Sequence, residues 1–315
     1  MTDWAPWIKF LDSVEQARSH LDFRPGEEIF YRGQSDVSWD VVPSLFRRPP
    51  NRTDDEFDQI EYDLFFEFEA RARELHPMLL SQWDVLFFMR HHGAPTRLLD
   101  WTETLAVAVY FALHGYARDS GKQPCVWVLN PYRLNEQPNS FDTRDLVSPQ
   151  YIGWDPNEDE LYDYGELLIE NEGFEFDLPV AMYAHQRVAR MGAQRGYFTC
   201  HGDKYKPLNE LCDDTVLRAV VIENDAVAPA YEFLRIAGID EYQLFPDLDG
   251  LSRSLSAKYG FHAVADVLGA SSQAREHKNR GEKTRGPRKR TKTKTKPTPK
   301  RAGGGATTKR RGGRG

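Results

Sequence analysis

From Arg275 to Gly315 the chain contains no Leu, Ile, Val, Met or aromatic residue. Such a segment cannot bury enough apolar surface to offset about 1–2 kcal/mol of backbone entropy per ordered residue, so disorder is expected there. The same stretch carries 17 Lys and Arg against two acids, Glu276 and Glu282, a formal charge of +15. The other 274 residues keep 24 bases and 46 acids, a charge of −22, although the whole chain nets only −7. The expected organisation is therefore an acidic folded body, residues 1–270, and a basic Lys/Arg/Gly/Thr-rich tail, residues 271–315. The tail runs Arg288-Lys289-Arg290 and Lys309-Arg310-Arg311 are candidate nucleic-acid contacts. Neutralising about eight phosphates would make log affinity fall with log salt at a slope near −7, largely without sequence preference. Loose association of the tail with its own acidic body is the competing expectation.

Within the body, no run of about 18 apolar residues is present, which argues against a membrane-spanning helix and a membrane partner. The opening Met1-Thr2-Asp3-Trp4 lacks the basic stretch and apolar core of a secretory signal. Three cysteines, Cys125, Cys200 and Cys212, show no CxxC spacing. Disulfides and cysteine zinc sites are not expected, and a reducing, cytoplasmic setting fits.

Helix and strand periods alternate irregularly along this body. Phe57, Ile60, Leu64, Phe68 and Leu75 recur near helical spacing, with Asp54, Asp55 and Glu56 placed to favour the helix dipole, so 54–75 reads as an amphipathic helix ended by His76-Pro77. Helices are also expected over 83–91, 226–237 and 251–259. The uninterrupted apolar run 105–113 reads as a buried helix from its Ala content, although periodicity alone does not exclude a strand. Strand-like runs cover 29–31, 126–129, 180–183, 197–200 and 216–222. This mixture predicts a single α+β domain with a central, mostly antiparallel sheet flanked by helices. Its core is expected over 24–260. The Asp-, Glu-, Asn- and Pro-rich segment 135–173 reads as an insertion or lid.

Four polar stretches stand out. Tyr31-Arg32-Gly33-Gln34-Ser35 ends the first strand and leads through Trp39 to Pro43-Ser44-Leu45-Phe46-Arg47. An Arg at a strand end, beside a Gly that permits close backbone approach, can offer a planar fork to phosphate or carboxylate; pairing with an internal acid is the structural alternative. His91-His92-Gly93-Ala94-Pro95-Thr96-Arg97-Leu98-Leu99-Asp100-Trp101-Thr102 lies between two apolar helices, and an Arg97–Asp100 ion pair is one expectation within it. Adjacent histidine side chains diverge, so no metal site is assigned to His91 and His92. Gln186 to Thr199 is a third polar, Gly-punctuated stretch. In Phe245-Pro246-Asp247-Leu248-Asp249-Gly250, the acids could bind a cation or cap the following helix.

Taken in order, Tyr31-Arg32-Gly33-Gln34, Gly93-Ala94-Pro95-Thr96-Arg97-Leu98-Leu99-Asp100-Trp101-Thr102, Gln194-Arg195-Gly196-Tyr197-Phe198-Thr199 and Phe245-Pro246-Asp247-Leu248-Asp249-Gly250 resemble the FRG domain, named for its (F/Y)-R-G signature. The family more often has Gln-His-Tyr-Gly where Arg90-His91-His92-Gly93 stands, and Gln-Gln-Gly where Gln194-Arg195-Gly196 ends the corresponding stretch. The resemblance implies a bacterial or phage-type protein with a link to defence systems, and it implies no settled activity.

Three functions compete. One is an NAD-handling, ADP-ribosyltransferase-like enzyme, in which Arg32 would hold the pyrophosphate, Thr96 or Thr102 would orient the ribose and Gln194 would take the late-strand position. Such enzymes carry a catalytic Glu that these motifs lack; Glu170-Asn171-Glu172 has the spacing but sits in the acidic insertion. A second is a non-catalytic module binding a small nucleotide or, through the tail, nucleic acid. A third is a metal-dependent nuclease using His91, Asp100, Asp247 and Asp249. The expected site is a polar cleft with Arg32, Thr102 and Gln194 as catalytic candidates and Gln34, Arg97, Asp100, Trp101 and His92 as ligand-binding candidates. Arg32 and Arg97 are expected to lie close together around an anion pocket. No cofactor is assigned beyond NAD as a candidate substrate.

Overall fold

The structure is a computed structural model and describes residues 2–47, 54–75, 81–117, 120–137, 150–151, 164–169, 177–183, 195–202 and 205–260. The chain divides into two units, Met1–Ser271 and Ser272–Gly315. The second lies outside the described residues, and with it the disorder expected of the tail and the basic residues Arg288, Lys289, Arg290, Lys309, Arg310 and Arg311.

Among the described residues, seven strands form one sheet: β1 (Phe30–Gln34), β2 (Leu98–Thr102), β3 (Cys125–Leu129), β4 (Gln150–Tyr151), β5 (Val180–Tyr183), β6 (Gly196–Cys200) and β7 (Leu217–Val221), in the spatial order β4-β5-β6-β2-β1-β3-β7. Every pairing is antiparallel except the short β4–β5 pair. The expected α+β architecture with a mostly antiparallel sheet is what forms. Two strands were not expected: the short β4, which falls in the segment 135–173 read as an insertion, and β2. Leu98–Thr102, read as a polar link between helices, is the central β2, covered on both faces so that Leu98, Leu99, Trp101 and Thr102 are all buried around Asp100.

Side-chain alternation gives the sheet two unlike faces. Tyr31, Val126, Val128 and Val220 pack on α1 (Ala5–His20), α4 (Leu105–Leu113) and a later helix, Val227–Ile236. On the same face Leu98, Met182, Phe198 and Cys200 pack on α2 (Asp54–Leu75), α3 (Gln82–His91) and the short α6 (Tyr164–Ile169), which follows α5 (Pro131–Glu136). The opposite face buries Phe30, Leu99, Trp101, Trp127 and Leu129. Within the segment 135–173, Asn135 and Tyr164 are buried.

The two helix groups stand apart where the sheet itself loosens. β1 pairs with β3 from Phe30 to Gln34, but it meets β2 at one register position, Tyr31 opposite Thr102. α4 closes tightly against β1 at Gly33, where a Cβ would overlap the Ala108 carbonyl and the Ala112 nitrogen. The Gly of the Tyr31-Arg32-Gly33 stretch thus serves a close backbone approach, but of a helix rather than a ligand. α3 begins with a capping box in which Ser81 and Asp84 satisfy each other's backbone N–H groups. It ends at Gly93, whose φ of +82° is the left-handed conformation that glycine adopts freely.

Candidate functional site

A cleft of about 620 Å³ opens at this parting of β1 and β2, walled by α3 and α4 and by the loop after β1. The elements bring to it Arg32 and Gln34 from β1, Asp100, Trp101 and Thr102 from β2, Arg90 and His91 from α3, and His92, Arg47 and Trp39 from loops. Six of the eight catalytic and ligand-binding candidates therefore share one hollow, Arg32, Gln34, His92, Asp100, Trp101 and Thr102, and His91 from the nuclease set lines it with them.

Arg32 occupies the gap between the separating strands. Its Nη1 donates to the Asp100 backbone oxygen at 2.8 Å, taking the place of a missing β1 N–H donor. The same nitrogen lies 3.9 Å from the Asp100 carboxylate. Arg32 Nε is buried with no hydrogen-bond partner. Burial draws the Arg32 pKa down to about 10, against the opposing pull of Asp100, so the group remains charged at neutral pH.

Arg90 is the principal partner of Asp100. Its Nε donates to Asp100 Oδ2 at 2.7 Å, its Nη2 donates to the same oxygen, and its Nη1 donates to Ser44 Oγ at 3.2 Å. Burial works to raise the Asp100 pKa, but the charges of Arg90 and Arg32 and the hydrogen bonds from Arg90 hold it below the usual carboxylate value. Arg47 stands at the rim, its pKa lowered by partial burial and by repulsion from Arg90. Among the described residues lining the cleft, three guanidinium groups thus face one carboxylate. The residues carrying that surplus, Arg47 and Arg90, were visible in the sequence without a role attached.

Gln34 is a brace. Its Oε1 accepts from Trp127 Nε1 and its Nε2 donates to the Asp40 oxygen at 3.2 Å, which fixes the loop after β1. Thr102 Oγ1 accepts from the Thr104 N–H at 3.1 Å, shaping the turn into α4. Trp101 Nε1 donates to Thr199 Oγ1 at 3.1 Å on the other side of the sheet.

Arg97 does not line the cleft. Its side chain is 2% exposed and its Nε donates to Glu61 Oε1 at 2.8 Å, with Nη2 donating to Glu61 Oε2 and Nη1 donating to the His201 oxygen at 2.9 Å. Tyr164 Oη also donates to Glu61 Oε1, at 2.6 Å. The expected Arg97–Asp100 pair is replaced by two separate pairs, Arg97–Glu61 and Arg90–Asp100, and the expected Arg32–Arg97 anion pocket does not form. The physical reason is an acid on the buried side of α2, which draws Arg97 into the core. A sequence signal existed, since Glu61 precedes the buried Phe65 and Ala72 at helical spacing.

The His91 and His92 rings meet edge-on, 4.8 Å between centroids, instead of diverging, because His92 has already left the helix. Thr96, the other ribose candidate, is buried, 1% exposed, and does not line the cleft. Asp247 caps the helix Leu248–Lys258, accepting from the Gly250 N–H at 2.7 Å, one turn earlier than the Leu251 start expected. Neither Asp247 nor Asp249 lines the cleft with His91 and Asp100, so the proposed nuclease set is not gathered. Gln194 and the Glu170-Asn171-Glu172 stretch lie outside the described residues.

A family model, the FRG domain, matches residues 27–121. That span holds β1, α3, β2 and α4, which line most of the cleft, together with α2; it stops short of β6, which adds Gly196, Tyr197 and Phe198 to the lining, and of the two later resembling stretches. Neither the curated proteins nor the solved structures hold a match to this chain.

Proposed function

We propose that this FRG domain-containing chain binds the phosphate groups of a small anionic ligand in the cleft between α3 and α4. The observation that carries the reading is the surplus of fixed positive charge, Arg32, Arg47 and Arg90 against Asp100. Planar guanidinium groups recognise phosphate through charge-assisted, directional hydrogen bonds, and Arg32 Nε is a buried donor without a partner. Low-dielectric walls strengthen that attraction relative to bulk water.

NAD is the first ligand to test, since its pyrophosphate matches paired guanidinium groups. The catalytic extension of the reading is ADP-ribosyl transfer. The bond from ribose to nicotinamide breaks with its electron pair leaving on nicotinamide, and an acceptor nucleophile bonds to the same carbon and gives up its proton. That chemistry asks chiefly for positioning and charge stabilisation. What supports it is the presence of Arg32 and Thr102 in one cleft with Asp100 held as an anion.

Titration of the purified full-length chain with NAD and ADP, with nicotinamide release followed in parallel, tests both levels. Arg47→Ala is the informative variant. Arg47 is exposed, and its hydrogen bond among the described contacts is a long one to the Val42 oxygen, 3.5 Å, so its loss leaves the fold intact. About a tenfold loss of affinity is expected from removing one such contact. A folded wild-type chain that binds neither nucleotide overturns the reading; binding without nicotinamide release overturns the catalytic extension alone.

A further inference from the structure

We infer that Trp39 is a stacking platform in this cleft and that the ligand is a nucleoside phosphate, not a bare oligophosphate. This inference rests on the anion-binding reading above and adds to it the part of the ligand that carries no charge.

Trp39 forms part of the cleft wall together with Arg32 and Arg47, yet its side chain is left open: the residue is 46% exposed. Solitary exposed aromatics are ordinary on protein surfaces. This one differs because the loop that carries it is tied down at each end and in the middle. Asp36 Oδ1 accepts from the Ser38 N–H and the Ser38 hydroxyl at 3.1 and 2.9 Å, and the Asp36 oxygen accepts from the Trp39 N–H at 3.2 Å. The Val37 N–H donates to the Gln123 oxygen at 2.7 Å, and Gln34 holds the Asp40 carbonyl. An indole kept exposed on a braced turn has already lost most of the freedom that binding would cost it, which is how preorganised recognition surfaces are built.

One face of the indole is taken. The Lys122 ammonium lies 4.7 Å from the ring centroid, a cation–π arrangement that favours this ring orientation. A planar ligand group would stack on the opposite face. Bases stack on aromatic side chains irrespective of their hydrogen-bonding edges, so the platform selects for a base without selecting which base. The combination of a phosphate-binding charge surplus and an aromatic platform in one hollow is the recognition chemistry of a nucleoside phosphate.

Calorimetric titration of the full-length chain with ADP and with inorganic pyrophosphate tests the assignment. The two anions carry similar charge, and the basic residues from Arg275 onward attract both, so the readout is the ratio of the two dissociation constants. Wild-type protein is expected to bind ADP about tenfold more tightly than pyrophosphate. In Trp39→Ala the ratio should collapse towards one while pyrophosphate affinity is kept, and Trp39→Phe should retain most of the preference. Retained pyrophosphate binding also certifies that the variant is folded. An ADP preference undiminished in Trp39→Ala, or no preference in wild-type protein, overturns the platform and leaves the anion cleft standing. Wild-type protein that binds neither anion overturns the cleft reading and this inference with it.

Discussion

The buried Arg97–Glu61 pair makes a quantitative prediction about what holds the cleft's frame in place. Its two side chains are 2% and 5% exposed, and Tyr164 adds its hydroxyl to the same carboxylate. Glu61→Leu strands a guanidinium in the core with the His201 carbonyl as a remaining acceptor, at a cost of about 3–5 kcal/mol for the broken pair. Loss of the hydrogen bond from the Tyr164 hydroxyl adds about 1 kcal/mol. Arg97→Met strands the carboxylate instead and is expected to cost about 3–5 kcal/mol. Combining the two removes both charges, and methionine and leucine refill the space, so the double variant should return to within about 2 kcal/mol of wild type. Urea unfolding followed by circular dichroism, at fixed m-value, closes the cycle. Additive losses, or a Glu61→Leu cost below about 1 kcal/mol, would refute the assignment of Arg97 to the core. Since Arg97 is outside the cleft, anion affinity of the folded double variant should match wild type.

Three further outcomes follow from the same geometry. Gly33→Ala forces a methyl group into the α4 backbone, and unfolding experiments should show a loss of about 3 kcal/mol or more. His201 is buried beside Arg97, and burial first, then repulsion by Arg97 and Arg32, depress its pKa to about 3. The unfolded chain takes up that proton near pH 6.5, so stability is expected to fall as pH drops from about 6.5 towards 3, by about 2 kcal/mol at pH 5; His201→Gln should flatten the dependence by that amount, and an unchanged slope would count against it. Finally, duplex DNA binding should be confined to the full-length chain, with a log–log salt slope near −7, and be lost from a chain ending at Ser271; equal affinities would remove the basic segment from the account.

Much of the frame was legible because it rests on local patterns. The 54–75 helix and the strand Val180–Tyr183 form at the bounds their periodicity gave, and the run 105–113 is a helix. α1 escaped notice even though its buried Trp7, Phe10, Val14 and Ala17 recur every three or four residues, because solvated charges between them dilute the signal. β2 was missed for a different reason. Its Asp100 and flanking Arg97 read as loop polarity, whereas each is paid for by a partner distant in sequence, Arg90 and Glu61. The candidate site was legible in the same proportion. Motifs pointed to Arg32, Asp100 and Thr102 as neighbours, but which arginine reaches the hollow and which is locked in the core depends on the partner that α2 supplies: the spacing of Glu61 on that helix hints at a buried acid, while its pairing with Arg97 is a tertiary fact.

The single rung between β1 and β2 has a mechanical consequence. To one side lies a three-stranded half carrying Arg32, to the other a four-stranded half carrying Asp100, with α3 and Arg90 packed against it. Backbone pairing resists bending within each half more than it resists a change of angle between them; across the seam the ties are side-chain packing, with Phe30 stacked on Tyr197 and α4 closed on Gly33, and the hydrogen bond from Arg32 to the Asp100 oxygen. An anion clasped by Arg32 and Arg90 together would act as a second rivet across that seam. Amide exchange at Tyr31 and Thr102 should then slow on ligand binding, while the ladder between β3 and β7, far from the seam, keeps its unliganded rate.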